Sequence, residues 1–204
     1  MTFAIVSRKG GVGKSATALN LAHCLSTGGR AVLLDTADYP DWHLAELGLR
    51  NPRAEQPLPL APPLRARRGG WGGEVLVLDC PAHADDHALA SAIAAAELIL
   101  VPTPPDIQAL EQAARIIEAA PAKARILFSL IHRNWRLHRD FIAQVRRSGH
   151  PVCKTVIHYR SAVQEAKALG LPVGLTRPRS PAAREFADLT KEVLRLATQA
   201  QKQA

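Results

Sequence analysis

Phe3-Ala4-Ile5-Val6-Ser7-Arg8-Lys9-Gly10-Gly11-Val12-Gly13-Lys14-Ser15 runs from four apolar residues through a glycine-rich turn to a lysine and a serine. Phe3–Val6 reads as a short buried strand, and Ser15–Ser26 carries Ala18, Leu21, Ala22 and Leu25 at helical spacing. The glycines between them permit backbone angles and close approach that a side chain forbids, so successive N–H groups can surround a phosphate. The helix that follows points its partially positive N-terminus at the same anion. Lys14 would reach the β- and γ-phosphates of a nucleoside triphosphate, and the Ser15 hydroxyl would coordinate magnesium. The strict form of this loop is G-x-x-x-x-G-K-[ST], and the chain departs from it: Arg8 stands at the first glycine, and a second lysine, Lys9, is present.

Outward from this turn, apolar and helical stretches alternate. Strands are expected at Ala31–Leu34, ending at Asp35, then at Glu74–Asp79, Leu98–Val101, Ile126–Ile131 and Val152–Ile157. Pro102 is expected to stop the strand before it. Helices are expected at Ile107–Ala120, Leu137–Ser148, Ser161–Leu169 and Pro181–Ala200. The rhythm predicts an α/β fold with a mostly parallel twisted sheet and helices on both faces, and the glycine-rich loop makes it a single-domain P-loop NTPase. The length, 204 residues, suits one such domain over 1–204 and leaves little room for a second. Residues 50–73 interrupt the rhythm with five prolines, then Arg65, Arg67 and Arg68, then Gly69-Gly70-Trp71-Gly72-Gly73, and read as a long surface connection. Trp71 there reads equally as a partner contact or as a cover on the sheet edge.

Composition narrows the classes. Apolar residues at 47% and charged residues at 22% belong to a globular chain, and no apolar run approaches the ~20 residues of a bilayer span. The N-terminus lacks a basic region and a cleavage pattern, so it is read as a strand and not as a leader. Cys24, Cys80 and Cys153 are odd in number and far apart, against a disulfide framework or a zinc site and in favour of a reducing cytoplasm. Charge is unevenly placed. Residues 1–120 hold 10 Lys/Arg and 13 Asp/Glu, a net of −3, while residues 121–204 hold 16 and 5, a net of +11. The basic half suggests a polyanion partner.

Lys9–Ser15 resembles the deviant Walker A motif of the ParA/MinD family of dimerising ATPases. Asp79-Cys80-Pro81-Ala82 is similar to that family's second carboxylate and switch II, and Ala94–Pro102 to its next helix and strand. Val156–Ala162, Glu165-Ala166, Gly170–Val173 and Ser180–Ala183 leading to Leu189–Val193 are similar to its C-terminal stretches, so the resemblance covers nearly the whole chain. It implies an ATPase using ATP and Mg2+, with Gly10, Gly11, Val12, Gly13, Lys14, Ser15 and Ala16 around the nucleotide. Lys9 would reach across a homodimer to the partner's phosphates, where a second ammonium adds charge neutralisation. Ser15 and Asp79 would hold magnesium; the alternative for Asp79 is a cap on the next helix. Cys80 reads as a small buried filler.

The family's Asp-x-Asp at the end of the second strand, whose latter Asp positions the attacking water, is altered to Asp35-Thr36-Ala37-Asp38. Matching strand ends puts Ala37 in the catalytic place; keeping the spacing from Lys14 puts Asp38 there, and Asp38 is preferred. Ala16 replaces a usual threonine. Three functions compete. A ParA-type positioning ATPase would dimerise on ATP and bind non-specific DNA through Arg133, Arg136, Arg139, Arg146, Arg147, Arg160, Arg177 and Arg179. It would work with a ParB-like or other cargo adaptor that stimulates slow hydrolysis, in the cytoplasm on the nucleoid. A MinD-like membrane ATPase needs an amphipathic anchor, and Phe186–Leu196 reads instead as a helix packed on the sheet, so no stable membrane anchor is expected. A metabolic P-loop enzyme needs a second acid, base or metal constellation, which the dispersed histidines His83, His87, His132, His138 and His158 do not supply. Adenine contacts are expected near Pro102–Pro105 and His158–Ser161.

Overall fold

The computed structural model describes residues 1–27, 31–35, 75–82 and 86–201. Within them, six strands form one sheet in the order β2-β3-β1-β4-β5-β6. The strands are β1 Thr2–Ile5, β2 Ala31–Asp35, β3 Val75–Asp79, β4 Leu98–Thr103, β5 Ala124–Ile131 and β6 Val152–His158, and every neighbouring pair is parallel. The helices are α1 Lys14–Ser26, α2 Asp86–Ala95, α3 Ile107–Ala119, α4 Arg136–Arg147, α5 Ser161–Ala168, α6 Val173–Thr176 and α7 Pro181–Gln201. Asp38 and the 50–73 connection, Trp71 included, lie outside the described residues.

Alternation along the strands builds two cores, one on each face. Phe3, Ile5, Leu98 and Leu100 pack with α1 and α7, while Ala4, Val6, Ile99 and Val101 pack with α2 and α3. The central strands β1, β3 and β4 therefore read as continuous apolar runs, because both of their faces are covered.

Two local expectations need correction. Pro102 does not end β4, which continues to Thr103 with Pro102 paired to Leu127 of β5. The Leu100 carbonyl accepts from Val6 N–H, so Pro102, two residues on, turns its nitrogen to the same side, beyond the end of β1. No ladder bond is lost there. Helix α6 was not expected. It is a single turn, held because the Val173 N–H donates to Asn20 Oδ1 at 2.7 Å while Asn20 Nδ2 donates back to Ala16 O within α1.

Gly174 shows how closely α6 sits on α1. A Cβ at this residue would lie 2.5 Å from Nε2 of His23, a buried side chain whose imidazole pKa is lowered by that burial. Gly174→Ala should therefore cost about 1–3 kcal/mol through overpacking, read as a lower urea midpoint at unchanged slope. His23→Ala in the same chain should return most of that loss.

Candidate phosphate-binding site

The C-terminal ends of the parallel strands gather at one end of the sheet, where β1 has neighbours on both sides and the connections diverge. The turn after β1 lies there. Gly11 and Gly13 take φ of +73° and +92°, and a Cβ on Gly10, Gly11 or Gly13 would meet nothing within 4 Å. The turn is thus an open cradle of backbone with space before it. It is pinned from behind: Ser129 Oγ of β5 donates to Val12 O at 2.9 Å, and Ser7 Oγ accepts from Lys9 N–H. Val12 itself is buried, so its side chain anchors the turn while its glycine neighbours face outward. Ser15 and Ala16 follow within the first turn of α1, which begins at Lys14, one residue earlier than the sequence suggested.

Lys14 is buried, and its Nζ donates to Lys9 O at 3.2 Å. Burial lowers its pKa, against the opposing pull of Asp79 and Cys80. An ammonium placed there with little water is a receptor for an anion. Asp79 is buried at the end of β3, in register with Ile5 on one side and Asp35 on the other. Helix α2 does not begin until Asp86, so Asp79 is not its cap. The Asp79 carboxylate acts electrostatically on Lys14, the neighbour of Ser15, and a hydroxyl and a carboxylate are donors that suit a hard divalent cation.

A cleft of about 330 Å³ opens beside the cradle, lined on one side by Gly11, Gly13 and Lys14–Thr17 and on the other by Ser129, Leu130 and Ile157–Arg160. Leu130 has a φ of 54°, an uncommon conformation for leucine, where β5 bends out of register with β6 at the cleft wall. The open cradle, the buried ammonium and the buried Asp79 carboxylate that acts on it fit a nucleoside triphosphate with magnesium.

Three functional contacts went unread in the sequence. Asp106, the N-cap of α3, accepts from Ala109 N–H at 2.8 Å and also holds Lys9 Nζ at 2.8 Å. Those two donors keep its carboxyl below the usual carboxylate range. Ser129 fixes the cradle. Glu185 of α7 accepts from His158 N–H at 3.1 Å and from the Arg160 guanidinium, and meets His158 Nδ1 at 2.9 Å. With Glu192, which takes the Lys154 and Thr155 N–H groups, it lets α7 satisfy three backbone donors of the terminal strand β6. Only Asp106 carried a signal, a cap residue before an apolar helical run.

Glu185→Ala should free the His158–Arg160 wall of the cleft. The expected result is a KM for ATP raised about tenfold with kcat within about twofold, since the lost contacts act on binding and not on the reacting atoms. Glu185→Gln, which keeps an acceptor, should recover part of the loss.

The arginines of the basic half divide. Arg146 donates to Lys154 O and lies 5.9 Å over the Phe128 ring, and Arg160 is held by Glu185. Arg177 pairs with Glu165 and Arg136 with Asp140 at exposed sites. Arg133, Arg139, Arg147 and Arg179 are exposed without an ion pair among the described residues. His138, on α4, is buried and accepts from His132 N–H through Nδ1.

Comparison with known proteins agrees with this geometry. The family described as "CobQ/CobB/MinD/ParA nucleotide binding domain" matches residues 3–173. The chromosome-partitioning ATPase Soj of Thermus thermophilus is 28% identical, with 94% of each chain covered. Maintenance of carboxysome distribution protein A of Gloeobacter kilaueensis is 30% identical over 64% of this chain and 55% of that relative. The septum site-determining protein MinD of Pyrococcus horikoshii, solved with Mg-ADP, superposes with a TM-score of 0.68 at 20% identity, covering 98% of this chain and 99% of that one. The chain belongs to the CobQ/CobB/MinD/ParA nucleotide-binding family, and within it is an ATPase that uses ATP with magnesium.

Proposed function

We propose that this chain is a ParA-type positioning ATPase: two copies close on ATP, the pair holds non-specific DNA, and a partner protein stimulates slow hydrolysis and release. The observation that carries the reading is Lys9. Its ammonium lies outside its own cradle, 30% exposed and resting on Asp106, where a second copy can meet it. An ammonium delivered across an interface to a bound triphosphate neutralises charge where it builds up during phosphoryl transfer. Two of the relatives matched in sequence, one named for chromosome partitioning and the other for carboxysome distribution, support a large cargo.

Within the site, Gly10–Ala16 surround the phosphates, Lys14 meets the β- and γ-phosphates, and Ser15 and Asp79 hold magnesium. Bound magnesium supplies Lewis-acid neutralisation of the phosphate oxygens. Asp38 orients the attacking water, so Asp38→Ala should stop phosphate release while ATP binding persists. Exposed Arg133, Arg136, Arg139, Arg147 and Arg179 are the DNA contacts this reading retains. Arg146 and Arg160 serve the fold, and Arg177 is tied to Glu165.

The apolar side chains of α7 that a membrane anchor would require, Phe186, Leu189, Val193 and Leu194, are buried in the core shared with α1. Among the described residues no helix is long and apolar enough to cross a membrane, and no cluster of three His, Cys, Asp or Glu could hold a further metal ion. The test is retention of random duplex DNA by the full chain. Retention should require ATP and fall steeply with salt. Equal retention without nucleotide, or none at low salt, removes the proposal.

A further inference from the structure

Three rings form a column at the rim of the cleft. Tyr159, part of the cleft wall, stacks on His132 with centroids 4.9 Å apart and planes 26° from parallel. His132 stacks in turn on Trp135 at 4.3 Å and 15°. His138 meets the edges of both His132 and Trp135. The backbone fixes the same corner, with Tyr159 N–H donating to Ile131 O and Trp135 N–H to His132 O. The column therefore joins the β6–α5 turn to the β5–α4 turn in one orientation.

Its outer end is uncovered. Trp135 is 56% exposed and its neighbour Leu137 73% exposed, although a ring that only braced two turns would gain most by burial. Cations surround this end: Arg133 and Arg136 flank Trp135 in sequence, and Arg139 follows one turn along α4. Asp140 is the one acid of that helix, and it is paired with Arg136. The surface thus offers a held aromatic ring among guanidinium groups.

A ligand that matches both must carry a flat π face next to negative charge. An acidic peptide brings the charge without the face. A second copy brings the same arginines and repels. Duplex DNA keeps its base faces stacked inside. We propose that Trp135 stacks an unpaired base of single-stranded nucleic acid, with Arg133, Arg136 and Arg139 on the adjoining phosphates. Base–aromatic stacking of this kind is tolerant of sequence, and the arginines give it salt dependence. Arg133, Arg136 and Arg139 are shared with the duplex retention proposed above, and Trp135 is the contact that duplex retention does not use.

The test uses the full chain and a fluorescein-labelled oligothymidylate of about 15 nucleotides, within the length such platforms occupy. Anisotropy should show binding that Trp135→Ala weakens about 5- to 100-fold, the range for loss of one stacked base. Trp135→Phe should keep most of the affinity. Arg139→Ala should lower the salt slope by about one. Duplex of the same length should bind Trp135→Ala as it binds the unsubstituted chain, so failure here and failure of duplex retention are read separately. Equal oligothymidylate binding by Trp135→Ala and the unsubstituted chain, with an unchanged slope in Arg139→Ala, overturns the proposal. So does displacement by polyglutamate as effective as that by unlabelled oligothymidylate, which would assign the surface to an acidic protein segment.

Discussion

Lys14→Met should abolish the stabilisation of this chain by Mg-ATP and lower phosphate release at least about a hundredfold, the scale on which removing one charge-stabilising donor acts. Burial drives the Lys14 pKa down, and the attraction of Asp79 and Cys80 does not cancel that effect. The charged form is therefore less favoured than in a free lysine until an anion arrives. Methionine keeps the length and packing of the stem while removing the charge, so the nucleotide-free fold should retain its stability. Its melting temperature would show this directly. What is lost is linkage: ATP at a hundred times its dissociation constant adds about 2.7 kcal/mol to the folded state, and the variant should gain none of it. A thermal shift with Mg-ATP that survives in Lys14→Met would mean that the triphosphate sits elsewhere than in the Gly10–Ser15 cradle.

The parts of this site that could be read in the sequence are those built from neighbours in the chain. The cradle, Lys14 and Ser15 lie within one turn of backbone, and the strand ending at Asp79 announced itself because both of its faces are buried. Contacts between distant segments were silent. Asp106 carries the local signature of a cap, but nothing in the sequence says that the same carboxylate holds Lys9. Glu185 stands on the polar side of an amphipathic helix, where a charged residue ordinarily meets water, and only the packing of α7 on β6 turns it toward His158 and Arg160. The same limit applied to the arginines. Charge counting put Arg146 and Arg160 beside Arg133 and Arg139, whereas the fold ties the first two to Lys154 and Glu185 and leaves the others exposed. Pro102 shows the reverse error, a local rule overridden by topology: β1 has already left the sheet where the missing N–H would matter.

Lys9→Ala should remove ATP-dependent self-association while leaving ATP binding within about twofold, because Lys9 is outside its own cradle and its closest charged partner is Asp106 at 2.8 Å. A charge-assisted hydrogen bond is worth about 1.5–3 kcal/mol. A symmetric pair loses two of them, so the dimer should weaken by roughly two to four orders of magnitude. Light scattering with and without Mg-ATP reads this directly. Asp106 supplies the complementary variant. Its side chain is 41% exposed and that of Lys9 30%, so solvent screening limits the pair to about 0–1 kcal/mol. It parks the lysine without trapping it. Asp106→Asn keeps an acceptor for the helix cap and releases Lys9 in both copies, so dimerisation on ATP should strengthen, by at most about 30-fold. The effect should not depend on pH near neutrality. The carboxyl pKa is lowered by its bonds to Lys9 and Ala109, so the pair is intact above about pH 4 and is lost only as pH falls through that lowered value. If Lys9→Ala still assembles on ATP as the unsubstituted chain does, the outer lysine has no part in pairing and each nucleotide pocket works alone.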